Sequence, residues 1–293
     1  METKQTLEFS PEKMDFRAYS ISWNLTKRCN LNCDHCYLDA DFRGGLKNDE
    51  LSTEECFKVI DQIAEVNPNA FLILTGGEPL LRPDIYEIIR YAADRKFMVV
   101  LGTNGTMINR INAEKIKSAG AHGVGISIDS MNPDKHNKFR GVDKAWELSM
   151  DAFDILNEVG VDFLVQMSVS DMNYKEIPEV VEFTEKIGAI AFNLYFLVCT
   201  GRGQGNTDIS NAAYEEALKM LYDQQMKYKG KLMINSKCAP QYKRVVYEND
   251  PESVYTRTYS GGCPAATHYS RISPEGNLTP CPFIEESVGN LKS

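Results

Sequence analysis

The chain has 293 residues, of which 43% are hydrophobic and 25% charged, and a formal net charge of −9. That length suffices for one α/β barrel with a small appendage, and the composition is that of an ordinary soluble globular protein. The acidic balance argues against a nucleic-acid backbone as main partner, and no apolar run approaches the roughly 18 residues of a membrane helix. Met1 to Arg17 is polar and mixed in charge, unlike a signal peptide. A cytoplasmic protein with neither a membrane nor a nucleic-acid partner is therefore expected. Its eight cysteines fit a reducing, oxygen-poor interior.

Residues 1–18 read as a lead-in. The first strand is expected over Tyr19 to Thr26, with a cysteine-rich loop directly after it. Ser52 and Glu55 form a capping-box pattern opening a helix, in which Cys56, Val59, Ile60 and Ile63 share one face, so Cys56 reads as core. Phe71 to Thr75 is a buried-type strand ending at Gly76. Pro83 suits the first turn of the next helix, where Ile85, Ile88 and Ile89 line one face. Met98 to Leu101 is a third strand, followed by Thr103-Asn104-Gly105. A short helix from about Ala113 to Ala119 stops at Gly120. Gly123 to Ile128 is a fourth strand, running into Asp129 and Ser130. A loop then leads to a helix near Ala145 to Val159. Phe163 to Val169 is a fifth strand, Pro178 to Ile187 a helix closed by Gly188, and Ile190 to Val198 a sixth strand. A final helix spans about Ala212 to Tyr228.

Six alternating strand–helix units predict a parallel α/β sheet or barrel. The polar and glycine motifs all follow strands, and in such folds the loops at the strands' carboxyl ends build the active site. Residues 19–228 are accordingly read as the barrel. Beyond Lys229 the periodicity weakens and Cys238, Cys263 and Cys281 appear among turn residues. The segment 229–293 is read as a smaller module without a large core, for which a metal staple would compensate.

Cys29, Cys33 and Cys36 stand within eight residues. Three thiolates can hold three irons of a cubane cluster and leave the fourth open to a chelating ligand. A structural zinc site would want four closed ligands, and His35, squeezed between Cys33 and Cys36, reaches poorly for the fourth place. Disulfides do not suit a reducing interior. The spacing Cys-x3-Cys-x2-Cys, followed by Gly76-Gly77-Glu78-Pro79 after a strand, resembles the radical S-adenosylmethionine (radical SAM) enzymes.

That resemblance implies a partial six-stranded TIM-type barrel and a 4Fe-4S cluster whose open iron takes the amino and carboxylate groups of SAM. It implies reductive cleavage of SAM to a 5′-deoxyadenosyl radical that abstracts hydrogen from substrate. Carried onto matching positions, Gly76, Gly77, Glu78 and Pro79 face the SAM amino group. Ser127 and Asp129 face its ribose, or else cap the following turn. Arg140 pairs with its carboxylate, with a solvated surface arginine as the alternative. Asn104 lines the same mouth, and His35 packs near adenine. No catalytic acid or base stands out. His122, His136 and His268 read as ordinary surface or core histidines.

Cys263-x12-Gly276-x4-Cys281 resembles the SPASM or twitch extension of a subset of this superfamily, which implies an auxiliary iron–sulfur cluster held by Cys238, Cys263 and Cys281. A zinc clip or free thiols is the competing explanation. Ser273-Pro274-Glu275-Gly276-Asn277 reads as a hairpin turn bringing the flanking cysteines together. A finer resemblance, to the subgroup that modifies side chains of siroheme and haem precursors, rests on short pieces. They are Phe196-Leu197-Val198 with Thr200-Gly201-Arg202-Gly203, Cys238-Ala239-Pro240, and Gly262-Cys263-Pro264-Ala265 through Thr279-Pro280-Cys281-Pro282-Phe283. Two features depart from it: Ser270 stands where another cysteine is expected, and the chain stops at Gly289-Asn290-Leu291. The latter matches either a short twitch form or a shortened chain.

The function implied is decarboxylation or deacetylation of a tetrapyrrole side chain, with electrons from flavodoxin or ferredoxin. Peptide or protein maturation of the SPASM type is the alternative; fewer than 30 residues precede Cys29, too few for a leader-binding domain, which a separate subunit could supply. A simple electron carrier would need no glycine-rich SAM pocket.

Overall fold

The computed structural model describes residues 20–45, 49–205, 209–253 and 262–292. The lead-in and Tyr19 lie outside them. In chain order the elements are β1 (Ser20–Asn24), β2 (Arg28–Cys29), β3 (Asp41–Phe42), α1 (Thr53–Val66), β4 (Phe71–Thr75), α2 (Ile85–Asp94), β5 (Met98–Thr103), α3 (Arg110–Ser118), β6 (Gly123–Ser127) and α4 (Pro133–Arg140). They continue with α5 (Ala145–Val159), β7 (Phe163–Val169), α6 (Ile177–Lys186), β8 (Ala191–Phe196), α7 (Asn211–Lys227), β9 (Met233–Lys237), α8 (Tyr242–Asn249), β10 (Tyr269–Ile272), β11 (Asn277–Thr279) and β12 (Gly289–Asn290).

The main sheet runs β12-β11-β10-β1-β4-β5-β6-β7-β8-β9. Neighbours from β10 through β9 are parallel, and only the terminal β10-β11-β12 pairings are antiparallel. This is the partial TIM-type barrel expected, with the predicted strands found to within two residues. The capping box also forms: Ser52 Oγ accepts from the Glu55 N–H while Glu55 Oε2 accepts from the Ser52 N–H at 2.8 Å. Cys56 sits fully buried in the core.

Strand residues alternate between two destinations. Leu72 and Leu74, Val99 and Leu101, Val124 and Ile126, Val165 and Met167, Phe192 and Leu194 are buried in one continuous apolar core with the helices. Burying each such side chain contributes about 1.5–3 kcal/mol relative to leaving it exposed. The intervening residues point to the opposite, inner face and are largely polar or small. Ser22, Asn24, Thr75, Gly102, Ser127, Gln166, Ser168, Asn193, Tyr195, Asn235, Lys237, Tyr269 and Arg271 hold these positions. A face built this way is made to hold something other than its own side chains.

Two segments differ from the expectation. The stretch before Ala145 is not a loop but contains α4, capped by Asn132 Oδ1 accepting from the Lys135 N–H at 3.0 Å and closed by Gly141 at φ 69°. Residues after Lys229 add β9 to the edge of β8 and, through β10, join the other edge at β1. Tyr242, Val245 and Val246 of α8 enter the main core. The expected turn at 273–277 is a hairpin joining β10 and β11. Among the described residues no helix is long and apolar enough to cross a membrane.

Candidate active site

The cysteine loop leaves β1 and lies against the turn after β4. The Gly77 N–H donates to Thr26 O at 2.7 Å and the Glu78 N–H to Arg28 O at 2.8 Å. This close docking explains the paired glycines. A Cβ on Gly77 would lie 2.2 Å from Arg28 O, and one on Gly76, at φ 154°, 2.6 Å from Thr26 O. On its other side the loop rests on the end of α4, with Asn32 N–H donating to Arg140 O at 3.0 Å and Asp34 N–H to Phe139 O at 3.1 Å. Gly141 is needed there, since a Cβ would stand 2.2 Å from Asn32 O.

Each of the three sulfurs meets an N–H donor. Cys29 Sγ accepts from Leu31 N at 3.4 Å and from Asn104 Nδ2 at 4.0 Å; Cys33 Sγ accepts from Arg140 Nη1 at 3.9 Å; Cys36 Sγ accepts from Ala40 N at 3.4 Å. The thiols are also near enough to interact: Cys33 and Cys36 both raise the pKa of Cys29, which burial above all pushes up to about 12. A thiol so raised stays protonated near neutral pH unless a metal replaces the proton. Among the described residues no three His, Cys, Asp or Glu side chains close on a point as ligands of a single ion would. A cubane asks for less, because each sulfur caps a different iron. The donor set fits that group.

Glu78 is fully buried, and its carboxylate accepts from Thr103 Oγ1 at 2.8 Å, Asn104 N at 2.9 Å and Leu80 N at 3.0 Å. Desolvation raises its pKa to about 7. It ties the Gly-Gly-Glu-Pro turn to the end of β5, while Pro79 opens a short 3-10 turn. Asn104 bridges further, giving its amide to Asn30 Oδ1 at 2.9 Å.

Asp129 and Arg140 form a buried pair, with Nε to Oδ2 at 2.6 Å and Nη2 to Oδ2 at 2.5 Å. Burial opposes the charge on Arg140, but Asp129 and Cys33 outweigh it and hold the guanidinium charged. The other Asp129 oxygen accepts from Ser168 N at 2.9 Å. Arg140 is thus no solvated surface arginine, and Asp129 gives its carboxylate to protein groups. The Ser127 side chain is half-buried on the inner face. His35 stacks on Phe139 at 4.0 Å and 8°, and burial lowers its pKa to about 3, so the ring is neutral. Its buried Nδ1 has no hydrogen-bond partner among the described residues. His136 is buried rather than exposed, its Nδ1 accepting from Asp129 N at 3.2 Å.

Cys238 follows β9 at φ 59°, Cys263 precedes β10, and Cys281 follows β11. Desolvation first, then Cys263 and Cys281, raise the Cys238 thiol to about 11, so the three share one neighbourhood although solvent reaches the Cys238 residue.

Some site residues escaped the sequence reading. Arg202 donates from Nε to Cys33 O at 3.0 Å and from Nη1 to Ala40 O at 2.8 Å and Asp39 Oδ1 at 3.0 Å. The segment Thr200-Gly201-Arg202-Gly203 thus latches the cysteine loop. Tyr37 accepts from Asn24 Nδ2 at 2.9 Å, and Arg271 Nε donates to Asn24 Oδ1 at 2.6 Å. Lys237 and Arg271 lie on the short strands β9 and β10, whose sequences carry too weak a pattern to single them out.

A family model described as the radical SAM superfamily matches residues 23–184, and the chain belongs to that superfamily. It is an enzyme of that class, whose members use a 4Fe-4S cluster and SAM. Among similar curated proteins is the AdoMet-dependent heme synthase of Methanosarcina barkeri (strain Fusaro / DSM 804), 36% identical over 93% of this chain and 79% of that protein. The protein of the same name from Nitratidesulfovibrio vulgaris is 34% identical, covering 93% and 76%. Of solved structures, Streptococcus suis SuiB bound to precursor peptide SuiA superposes with a TM-score of 0.74 at 17% identity, covering 94% of this chain and 62% of that longer one. That likeness is one of fold.

Proposed function

We propose that this enzyme modifies a carboxylate-bearing side chain of a siroheme or haem precursor, by decarboxylation or deacetylation. The supporting observation is likeness to AdoMet-dependent heme synthases over 93% of the chain. A Fe-coproporphyrin III synthase of Methanosarcina barkeri, 33% identical over 75% of this chain and 54% of its own length, points the same way.

In this reading Cys29, Cys33 and Cys36 hold the cluster, with the Leu31, Ala40, Asn104 and Arg140 donors stabilising charge on sulfur. When bound, the cluster and SAM supply a 5′-deoxyadenosyl radical, a hydrogen-atom abstractor. The chain positions and shields. Backbone groups of Gly76 to Pro79 face the amino group, Ser127 the ribose, the His35–Phe139 stack the adenine, and Arg140 the SAM carboxylate while Asp129 keeps it charged. Arg202 fixes the cysteine loop. Cys238, Cys263 and Cys281 hold an auxiliary cluster in the segment 229–293, whose strands β9 and β10 extend the sheet of the barrel. Flavodoxin or ferredoxin supplies the electron.

Anaerobic enzyme with dithionite, SAM and either Fe-coproporphyrin III or siroheme derivatives should release 5′-deoxyadenosine. It should also give a tetrapyrrole lighter in mass spectra by an acetate fragment, or by carbon dioxide and two hydrogens, one abstracted by the radical and one lost as the carboxyl proton while an acceptor takes the remaining electron. Deoxyadenosine formed only with a peptide substrate would replace this reading with peptide maturation.

A further inference from the structure

Among the described residues, the inward positions of the strands carry no acid. At the inward positions of β1 and of β4 through β10 stand serine, asparagine, glutamine, threonine, tyrosine, glycine and apolar residues, in a chain whose net charge is −9. Two cations break the neutrality: Lys237 on β9 and Arg271 on β10, the strands that end the parallel run on either side. Register fixes their direction. Lys237 is opposite Tyr195 and two residues from Asn235, which bonds Asn193 at 3.0 Å across the same face. Arg271 is opposite Ser22 and bonds Asn24.

Neither cation has a carboxylate partner among the described residues. Among the described residues the Arg271 guanidinium bonds the neutral Asn24 alone, and burial disfavours its charge. Glu275 and Glu285 act on it at a distance, and Glu275 pairs with Lys27 at 3.8 Å. Lys237 is half-buried with the Cys238 thiol as its acidic neighbour. Asn24 links Arg271 to the cysteine loop, accepting from Arg271 Nε at 2.6 Å and donating to the Tyr37 hydroxyl at 2.9 Å. Arg271 therefore stands beside the cysteine loop, and Lys237 lies on the same face at the other flank, opposite Tyr195. Half-buried, unpaired cations on a neutral face are costly unless an anion arrives to meet them.

We infer that Lys237 and Arg271 form a carboxylate-binding subsite on the inner face of the sheet, holding acidic side chains of the substrate and thereby setting its orientation below the cysteine loop. This rests on the tetrapyrrole reading for its ligand. A macrocycle with carboxylates around its rim presents anions on two sides, which two cations on opposite flanks can hold at once.

The test uses the full chain with reconstituted clusters and SAM, kept anaerobic, and titrates Fe-coproporphyrin III and its methyl ester by absorption. Wild type should prefer the free acid. Lys237→Gln and Arg271→Gln should each weaken acid binding by about tenfold, the loss of one charge-assisted hydrogen bond, with ester and SAM affinities unchanged. Lys237→Arg and Arg271→Lys should keep most of the acid affinity. Unchanged acid affinity in both Gln variants, or equal loss for acid and ester, overturns the subsite and leaves the tetrapyrrole reading standing. Should a variant not fold, wild type binding acid and ester alike overturns it as well. Wild type binding neither macrocycle removes the tetrapyrrole reading and this inference with it.

Discussion

Glu78 shows how one buried carboxylate constrains a site. Three donors hold it, yet desolvation leaves its pKa near 7, above the ~4.3 of a free glutamate. The sign follows from proton binding: the folded chain holds the extra proton between those values, so the stabilisation is full below about pH 4.3 and lost as pH rises towards 7. Wild type should therefore lose stability relative to Glu78→Gln as pH is raised through that window, measured by denaturant midpoint. A difference between the two proteins that stays flat with pH would contradict the assignment. The motif itself was legible in the sequence, but the reason for its glycines was not. Their close approach is to the backbone of the cysteine loop, a partner about 50 residues away that no local pattern reveals.

Elements with a strong period were legible, as α1, β4, α5 and β7 show, because their apolar residues all serve one core. The helix α4 was missed because only His136, Phe139 and Arg140 of its eight residues are buried, too thin a stripe to register, though Asn132-Pro133 and Gly141 carry the start and stop chemistry. The strand β9 was missed because its inner face is polar, so neither a buried run nor a clean alternation stands out. The turn after β8 is a further case, named in the sequence only as a likeness. Its Arg202 spans Cys33 O, Ala40 O and Asp39 Oδ1. A lysine cannot span three acceptors in a plane, so Arg202→Lys should cost the loop roughly 1–3 kcal/mol. Its cluster should bleach faster in air, followed by charge-transfer absorbance. Bleaching at the wild-type rate would deny the latch.

In the whole molecule the two ends of the described chain meet in one sheet. Ile272 on β10 is fully buried beside Trp23 of β1. Ile272→Ala should accordingly destabilise the entire chain by about 2–5 kcal/mol in denaturant unfolding, whereas a loss below ~1 kcal/mol would make the hairpin peripheral. The pairing of β1 with β10 joins residues about 250 apart, a contact that forms late on a chain emerging from its amino end. By then the contacts of the cysteine loop with the turn after β4, with α4 and with Arg202 all have their sequence in place. Topology thus separates two events in time: the cradle for iron is complete while β1 still has a bare flank, and the wall bearing Arg271 arrives afterwards, as the last panel set into a frame already furnished.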